Sequence, residues 1–293
     1  MSKLRRPSEA KAKEFLQHGV PRCVDGPAQR RAETVELQQG RENLAVRTLL
    51  SASIKGGVGK TTVAVGTARA LQRRGLRVGI LDLDYRSPCV PLVLGVDGAS
   101  VGRTAQDALV PVEAQGLYLF SMAYVWDADQ AVMVEDSDAT TDVAQLLRPG
   151  VIAWPELDWL VVDTPPTSSG IVRAALEASG AAGAILVTQP STVGRAATIR
   201  TLDLFSQKQV PVYALVSNQG IDPETGQDRY DLTDADILSL SKGHHIPIFM
   251  AIPHSQHLDP MFDALAALLV DATPVLLPKP PEPEGKSWQR VIQ

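Results

Sequence analysis

From residue 46 onward, short apolar runs alternate with stretches of helical period. The runs predict strands at Arg47–Ser53, Arg77–Asp82, Leu117–Met122, Trp159–Asp163, Ala184–Thr188, Val212–Ser217 and Ile248–Ile252. Most are continuously apolar rather than alternating, as in strands buried on both faces. Helical spacing falls at Thr61–Arg74, Ile171–Ser179, Arg195–Lys208 and Met261–Leu269. This alternation predicts an α/β fold: a doubly wound, mostly parallel sheet with helices on both faces and ligands at the C-terminal strand ends.

The two ends depart from that pattern. Residues 1–45 read as a separate polar arm, with helical stretches at Ser8–His18 and Glu33–Leu44 interrupted by Gly19, Pro21, Gly26 and Pro27. Residues 46–272 form the α/β body. Residues 273–293 read as an extended tail, because five prolines fall within ten residues from Pro274. Net charge is −5, yet residues 1–50 hold ten Lys/Arg against six Asp/Glu, so the arm is basic and the body acidic. Such an arm suits nucleic acid, which is not favoured, an anionic surface, the acidic body of its own protein, a partner protein, or a purely solvated role. The acidic stretch through Asp127, Asp129, Glu135, Asp136, Asp138 and Asp142 reads as solvated or partner-facing.

No uncharged apolar run reaches the ~18 residues of a spanning helix, and no apolar h-region follows the basic Met1–Arg6. Two cysteines, Cys23 and Cys89, imply a reducing compartment without a disulfide framework. The expectation is a soluble, cytoplasmic protein.

The chemistry starts at Ile54-Lys55-Gly56-Gly57-Val58-Gly59-Lys60-Thr61-Thr62. Glycines let backbone N–H groups converge on phosphate oxygens without a Cβ in the way. The loop joins a predicted strand to a predicted helix, so a phosphate would sit at a helix N-terminus. Lys60 would reach the β- and γ-phosphates, and Thr61 would offer its hydroxyl to Mg²⁺. These residues predict ATP and Mg²⁺ as cofactors.

Two further strands end in carboxylates. Asp82 and Asp84, at i and i+2, point to one side of their strand end. Asp82 is assigned to the magnesium side and Asp84 to orienting the attacking water. Trp159–Asp163 brings Asp163 to the metal side through water or through Thr61, and Pro165-Pro166 stiffens the turn behind it. His244, His245, His254 and His257 read as loop histidines rather than a metal site.

The loop KGGVGKTT resembles the deviant Walker A motif of the MinD/ParA/Mrp branch of P-loop ATPases. The resemblance implies that Lys55 crosses a homodimer interface formed on ATP binding and contacts the partner subunit's nucleotide. Over residues 46–270 the chain resembles the Mrp/ApbC group of ATP-binding iron–sulfur cluster carriers more closely. The matching segments are Asp82-Leu83-Asp84, Val90–Val96, Gly116–Met122, Val161–Pro166, Leu186–Pro190 and Val210–Val212. The resemblance places Asn218 on the adenine edge, where its amide would both donate and accept, and Pro253 over the base.

The departures shape the functional expectation. The group's C-x-x-C pair is absent after Asn218, where Gln219–Gln227 runs without cysteine, and its Gly-Thr-Gly is replaced by Thr167-Ser168-Ser169-Gly170. Thiolates are the expected cluster ligands. Cys89 reads as a small buried residue, and Cys23 as at most one ligand per subunit. The reading that results is a dimeric ATPase switch without cluster cysteines, acting on an unidentified partner complex. Its alternatives are a MinD/ParA-type positioning ATPase and a non-hydrolysing nucleotide-bound scaffold. The end of the chain, from Trp288 to Ile292, is too short for a membrane-lying helix, which counts against a membrane role.

Overall fold

The computed structural model describes residues 46–278 except 86, 125–140, 142, 167–171, 173, 176–182, 223 and 256. Outside the described residues lie the N-terminal arm with Cys23, the acidic stretch from Asp127, the Thr167–Gly170 turn, most of the helix expected after it, and the chain beyond Pro278.

Eight strands form one sheet in the order β3-β4-β2-β5-β1-β6-β7-β8. They are β1 (Arg47–Ala52), β2 (Val78–Asp82), β3 (Val112–Ala114), β4 (Leu117–Ser121), β5 (Trp159–Asp163), β6 (Gly183–Thr188), β7 (Val212–Asn218) and β8 (Ile248–Ile252). Every pairing is parallel except β3 on β4, a short antiparallel edge. Placing β1 between β5 and β6 makes its C-terminal end a topological switch point, where a crevice opens for ligands.

The strands are apolar throughout because each side chain meets a core on its own face. Leu49, Ile80, Val161, Ile185 and Val216 enter one cluster; their chain neighbours Leu50, Leu81, Val162, Leu186 and Leu215 enter the other. Helices cover both faces: α1 (Lys60–Arg73), α2 (Val90–Leu94), α3 (Thr192–Lys208), α4 (Asp234–Gly243) and α5 (Asp259–Asp271). Val63, Leu71, Phe262 and Leu265 place α1 and α5 on the first cluster, and Leu202, Phe205, Ile237 and Leu240 place α3 and α4 on the second. The α1–α5 contact depends on Gly66, where a Cβ would lie 2.3 Å from the Phe262 ring.

Among the described residues, β3, α2 and α4 are elements that went unread in the sequence. The β3 strand is only three residues long, and α2 only five. Helix α4 opens with a capping box, Thr233 accepting from the Asp236 N–H while Asp236 accepts from the Thr233 N–H. The first part of the expected tail is also more than an extended strand end. Val275 forms an antiparallel bridge with Val212, and Leu277 is buried in the second cluster. Among the described residues no helix is long and apolar enough to cross a membrane.

Candidate functional site

The register of the central strands sets the site. Ser51 of β1 and Asp82 of β2 both pair with Asp163 of β5, so the three polar residues cross adjacent strand ends in one row. Beyond β1 the chain turns through Gly57 (φ +72°) and Gly59 (φ +95°) before entering α1. Gly59 is the N-cap and supplies no side-chain cap, so the first-turn N–H groups of α1 remain unclaimed by the helix. Ser51 fixes the helix start by donating to the Lys60 carbonyl at 2.9 Å. The β1 end is tied to β5 by Thr164, whose hydroxyl donates to the Ser51 carbonyl at 2.8 Å.

Within this cradle Lys60 is buried at 7% exposure, and Thr61 donates to Asp163 Oδ2 at 2.6 Å. The second carboxylate oxygen of Asp163, Oδ1, is buried with no protein partner. Leaving a buried carboxylate oxygen unmatched costs stability unless a ligand completes it. Desolvation pushes the Asp163 carboxyl up to about 7, outweighing the Thr61 hydrogen bond and the charge of Lys60. Burial lowers the Lys60 ammonium, more than Asp163 and Asp84 raise it. These shifts describe a site short of compensating charge: Asp163 calls for a cation and Lys60 for an anion. The orphaned oxygen beside the Thr61 hydroxyl fits Mg²⁺, whose preferred ligands are hard oxygens.

Asp82, assigned to the magnesium side, has both carboxylate oxygens engaged by protein donors. It is fully buried: Oδ2 accepts from the Ser121 hydroxyl at 2.8 Å and the Val90 N–H at 3.3 Å, and Oδ1 from the Asp84 N–H at 3.1 Å. Burial, reinforced by the Asp163 charge, raises its carboxyl to about 8. Its carboxylate organises the loop after β2, leaving Asp84, half-buried, to extend toward the cradle and raise the Lys60 ammonium.

Asn218, at the end of β7, is 1% exposed and donates from Nδ2 to the Val58 carbonyl at 2.8 Å. The contact is so close that a Cβ on Gly59 would lie 2.1 Å from Nδ2. Its amide therefore buttresses the phosphate loop with one N–H. Pro253 follows β8 beside it: the Gln219 N–H donates to the Ile252 carbonyl and the His254 N–H to the Ile221 carbonyl, tying the two loops together. Gly56, Gly57 and Thr62 are exposed on the mouth of the cradle, and Val58 is buried beneath it.

Lys55 donates from Nζ to Gln189 Oε1 at 3.0 Å. The sequence reading gave Gln189 no role; its signal is a polar side chain closing the apolar run of β6. Ser121, which holds Asp82, was missed for the same reason. Cys89, expected to be buried, is exposed, its thiol donating to the Ser87 carbonyl just before α2. Desolvation and the nearby carboxylates of Asp82, Asp84 and Asp163 raise its pKa. No group of three or more His, Cys, Asp or Glu side chains that could hold a metal occurs among the described residues.

Residues 45–277 match a ParA family model described as the NUBPL iron-transfer P-loop NTPase. An iron–sulfur cluster carrier protein of Deinococcus radiodurans is 37% identical over 180 residues, covering 61% of this chain and 51% of that one. One from Rickettsia prowazekii is 30% identical over 207 residues, covering 71% and 61%. The chain thus spans between half and two thirds of the length of these relatives. Among solved structures, a nucleotide-binding protein in complex with ADP from Archaeoglobus fulgidus superposes with a TM-score of 0.60 at 24% identity, covering 78% of this chain and 89% of that one. The septum site-determining protein MinD with Mg-ADP from Pyrococcus horikoshii gives 0.52 at 18% identity, covering 78% and 90%. At such identities these two likenesses show the fold alone.

The comparisons correct the functional expectation. A switch that has parted from cluster carriage is overturned by relatives named iron–sulfur cluster carriers and by a family named for iron transfer. Of the two cysteines, Cys89 is exposed and Cys23 lies outside the described residues. The chain belongs to the NUBPL iron-transfer family of P-loop NTPases.

Proposed function

We propose that this protein is an ATP-dependent iron–sulfur cluster carrier, with the cluster as cargo and nucleotide turnover governing its release. The observation that carries the nucleotide half is the Thr61–Asp163 pair with its orphaned carboxylate oxygen, set beside a buried lysine at a glycine-capped helix N-terminus. The cargo half is supported by family membership and by the names of the relatives.

In this reading the N–H groups from Gly56 to Thr62 receive the phosphates and Lys60 neutralises the β/γ region. Thr61 and Asp163 would hold Mg²⁺, which supplies charge neutralisation across the phosphates. Asp84 orients the attacking water, while Asp82 keeps the Asp84 loop in place. Oδ1 of Asn218 accepts from the adenine amino group, and Pro253 covers the base. Lys55 acts on the nucleotide of a second copy, so turnover requires a homodimer. The candidate cargo ligands on each chain are its two cysteines, Cys23 and Cys89.

The test is a pair of measurements on the purified protein: Mg-dependent ATP hydrolysis, and iron transfer to an apo-ferredoxin with and without Mg·ATP. Hydrolysis together with nucleotide-dependent transfer supports the reading. Hydrolysis with no iron retained would remove the cargo half, and no hydrolysis would remove the ATPase.

A further inference from the structure

We propose that Gln189 is a positioning residue that parks Lys55 within its own subunit until a second copy docks. The inference rests on the ATPase reading above, in which Lys55 serves the partner's nucleotide. Its carrier is one side-chain amide that meets three groups on two loops, the phosphate loop and the loop after β7. Oε1 accepts from Lys55 Nζ at 3.0 Å, while Nε2 donates to the Gly57 carbonyl at 3.4 Å and to Gln219 Oε1 at 3.2 Å.

The chemistry fixes which end of the amide faces which group. An ammonium offers only hydrogens and takes the oxygen; the NH₂ is left for the two acceptors. Glutamate would hold the ammonium but repel the two oxygens. An apolar side chain of the same length would hold none of them.

The root of Gln189 is also fixed. Its carbonyl accepts from the Ser191 N–H at 2.7 Å and the Thr188 hydroxyl at 3.3 Å, and the residue is 8% exposed. A Cβ on Gly194 would lie 2.2 Å from that carbonyl oxygen, so α3 begins hard against it. A second feature favours the parked position. The Asp231 carboxyl, held down chiefly by the Thr192 hydroxyl and N–H, is lowered further by the Lys55 charge. Lys55 thus has a defined resting place at the mouth of its own phosphate loop, and reaching another subunit means leaving it.

Hydrogen bonds to charged groups are worth roughly tenfold or more in an equilibrium, which sets the expected effect. Dimerisation is followed by light scattering with Mg·ATP across a protein concentration series, using Asp84→Ala to slow hydrolysis. Kinetics are measured in the chain with Asp84 intact. Each dimer frees two lysines, so Gln189→Met should lower the half-dimer concentration about a hundredfold, tenfold per subunit, and Gln189→Glu should raise it by a similar factor. At low protein concentration kcat should move with dimerisation, up for Met and down for Glu, while KM for ATP changes by less than about threefold. In a Lys55→Ala background the Met and Glu variants should agree to within about twofold, as a double-mutant cycle requires.

The parking role is overturned if both variants shift dimerisation in the same direction, if neither shifts it, or if their difference survives Lys55→Ala. A wild type that binds Mg·ATP but stays monomeric overturns the trans role of Lys55 and the parking with it. A wild type that binds no nucleotide overturns the ATPase reading first. Should Gln189→Met fail to fold, Gln189→Leu takes its place with the same expectation.

Discussion

The Thr61 hydroxyl donates to Asp163 Oδ2 at 2.6 Å, joining the first turn of α1 to the end of β5. That contact spends one carboxylate oxygen and leaves the other buried and unmatched, which in the proposed function is where Mg²⁺ would bind. Asp163→Asn should weaken Mg-dependent nucleotide binding by tenfold or more while leaving Mg-free binding nearly unchanged, as titration calorimetry with and without the metal would read. Equal losses in both conditions would remove Asp163 from the metal.

Lys60 is buried where only an anion justifies its charge. Lys60→Ala should abolish nucleotide binding but leave the fold stable, since it removes a desolvated cation rather than a packed core group. Unchanged ATP affinity would refute the phosphate-loop assignment.

Asn218 holds the Val58 carbonyl from across the crevice. Asn218→Leu leaves that carbonyl without its donor and should cost about 1–3 kcal/mol of stability. ATP affinity should fall in parallel. Denaturant unfolding of the nucleotide-free protein separates the two effects: wild-type stability with lost ATP affinity would mean that Asn218 serves only the base.

Gly66 lets α1 approach the Phe262 ring of α5. Gly66→Ala should destabilise the protein by about 1–3 kcal/mol through overpacking, despite alanine's better helix propensity. A higher melting temperature would show that Phe262 moves aside at no cost.

Both buried acids titrate upward, Asp163 to about 7 and Asp82 to about 8. A carboxyl raised on folding binds its proton more tightly in the folded state. Its contribution is fully present below the unfolded value near 4 and is lost as pH rises through the folded value. The nucleotide-free protein should therefore lose stability between about pH 5 and 8, and Asp163→Asn should flatten that slope. Saturating Mg·ATP should flatten it too, by supplying the missing cation. Thermal melts across this range read the sign directly.

Much of this was legible in the sequence because apolar period and glycine placement report backbone constraints. The runs ending in Asp82 and Asp163 became neighbouring strand ends, and KGGVGKTT became a glycine-capped helix start. Side-chain allegiances were not legible. Asp82 looked like a metal ligand, since nothing local reveals that Ser121, thirty-nine residues away, would claim its oxygen. The bond from Asn218 to the Val58 carbonyl was not legible either, because it spans 160 residues. Gln189 went unassigned for the same reason: its partners lie on two loops distant in sequence, the phosphate loop and the loop after β7. The α4 helix was readable in principle from Thr233-x-x-Asp236 before Ile237, but the surrounding charges masked its short apolar stripe.

The measurement that tests the account most directly is anaerobic reconstitution of the full chain with ferrous iron and sulfide, followed by metal analysis and visible absorbance. Wild type, Cys89→Ser and Cys23→Ser would be compared. The account predicts a coloured dimer that retains iron and sulfide, loses them in at least one cysteine variant, and releases them to an apo-ferredoxin when Mg·ATP is hydrolysed. A colourless protein that hydrolyses ATP yet retains no iron would contradict it.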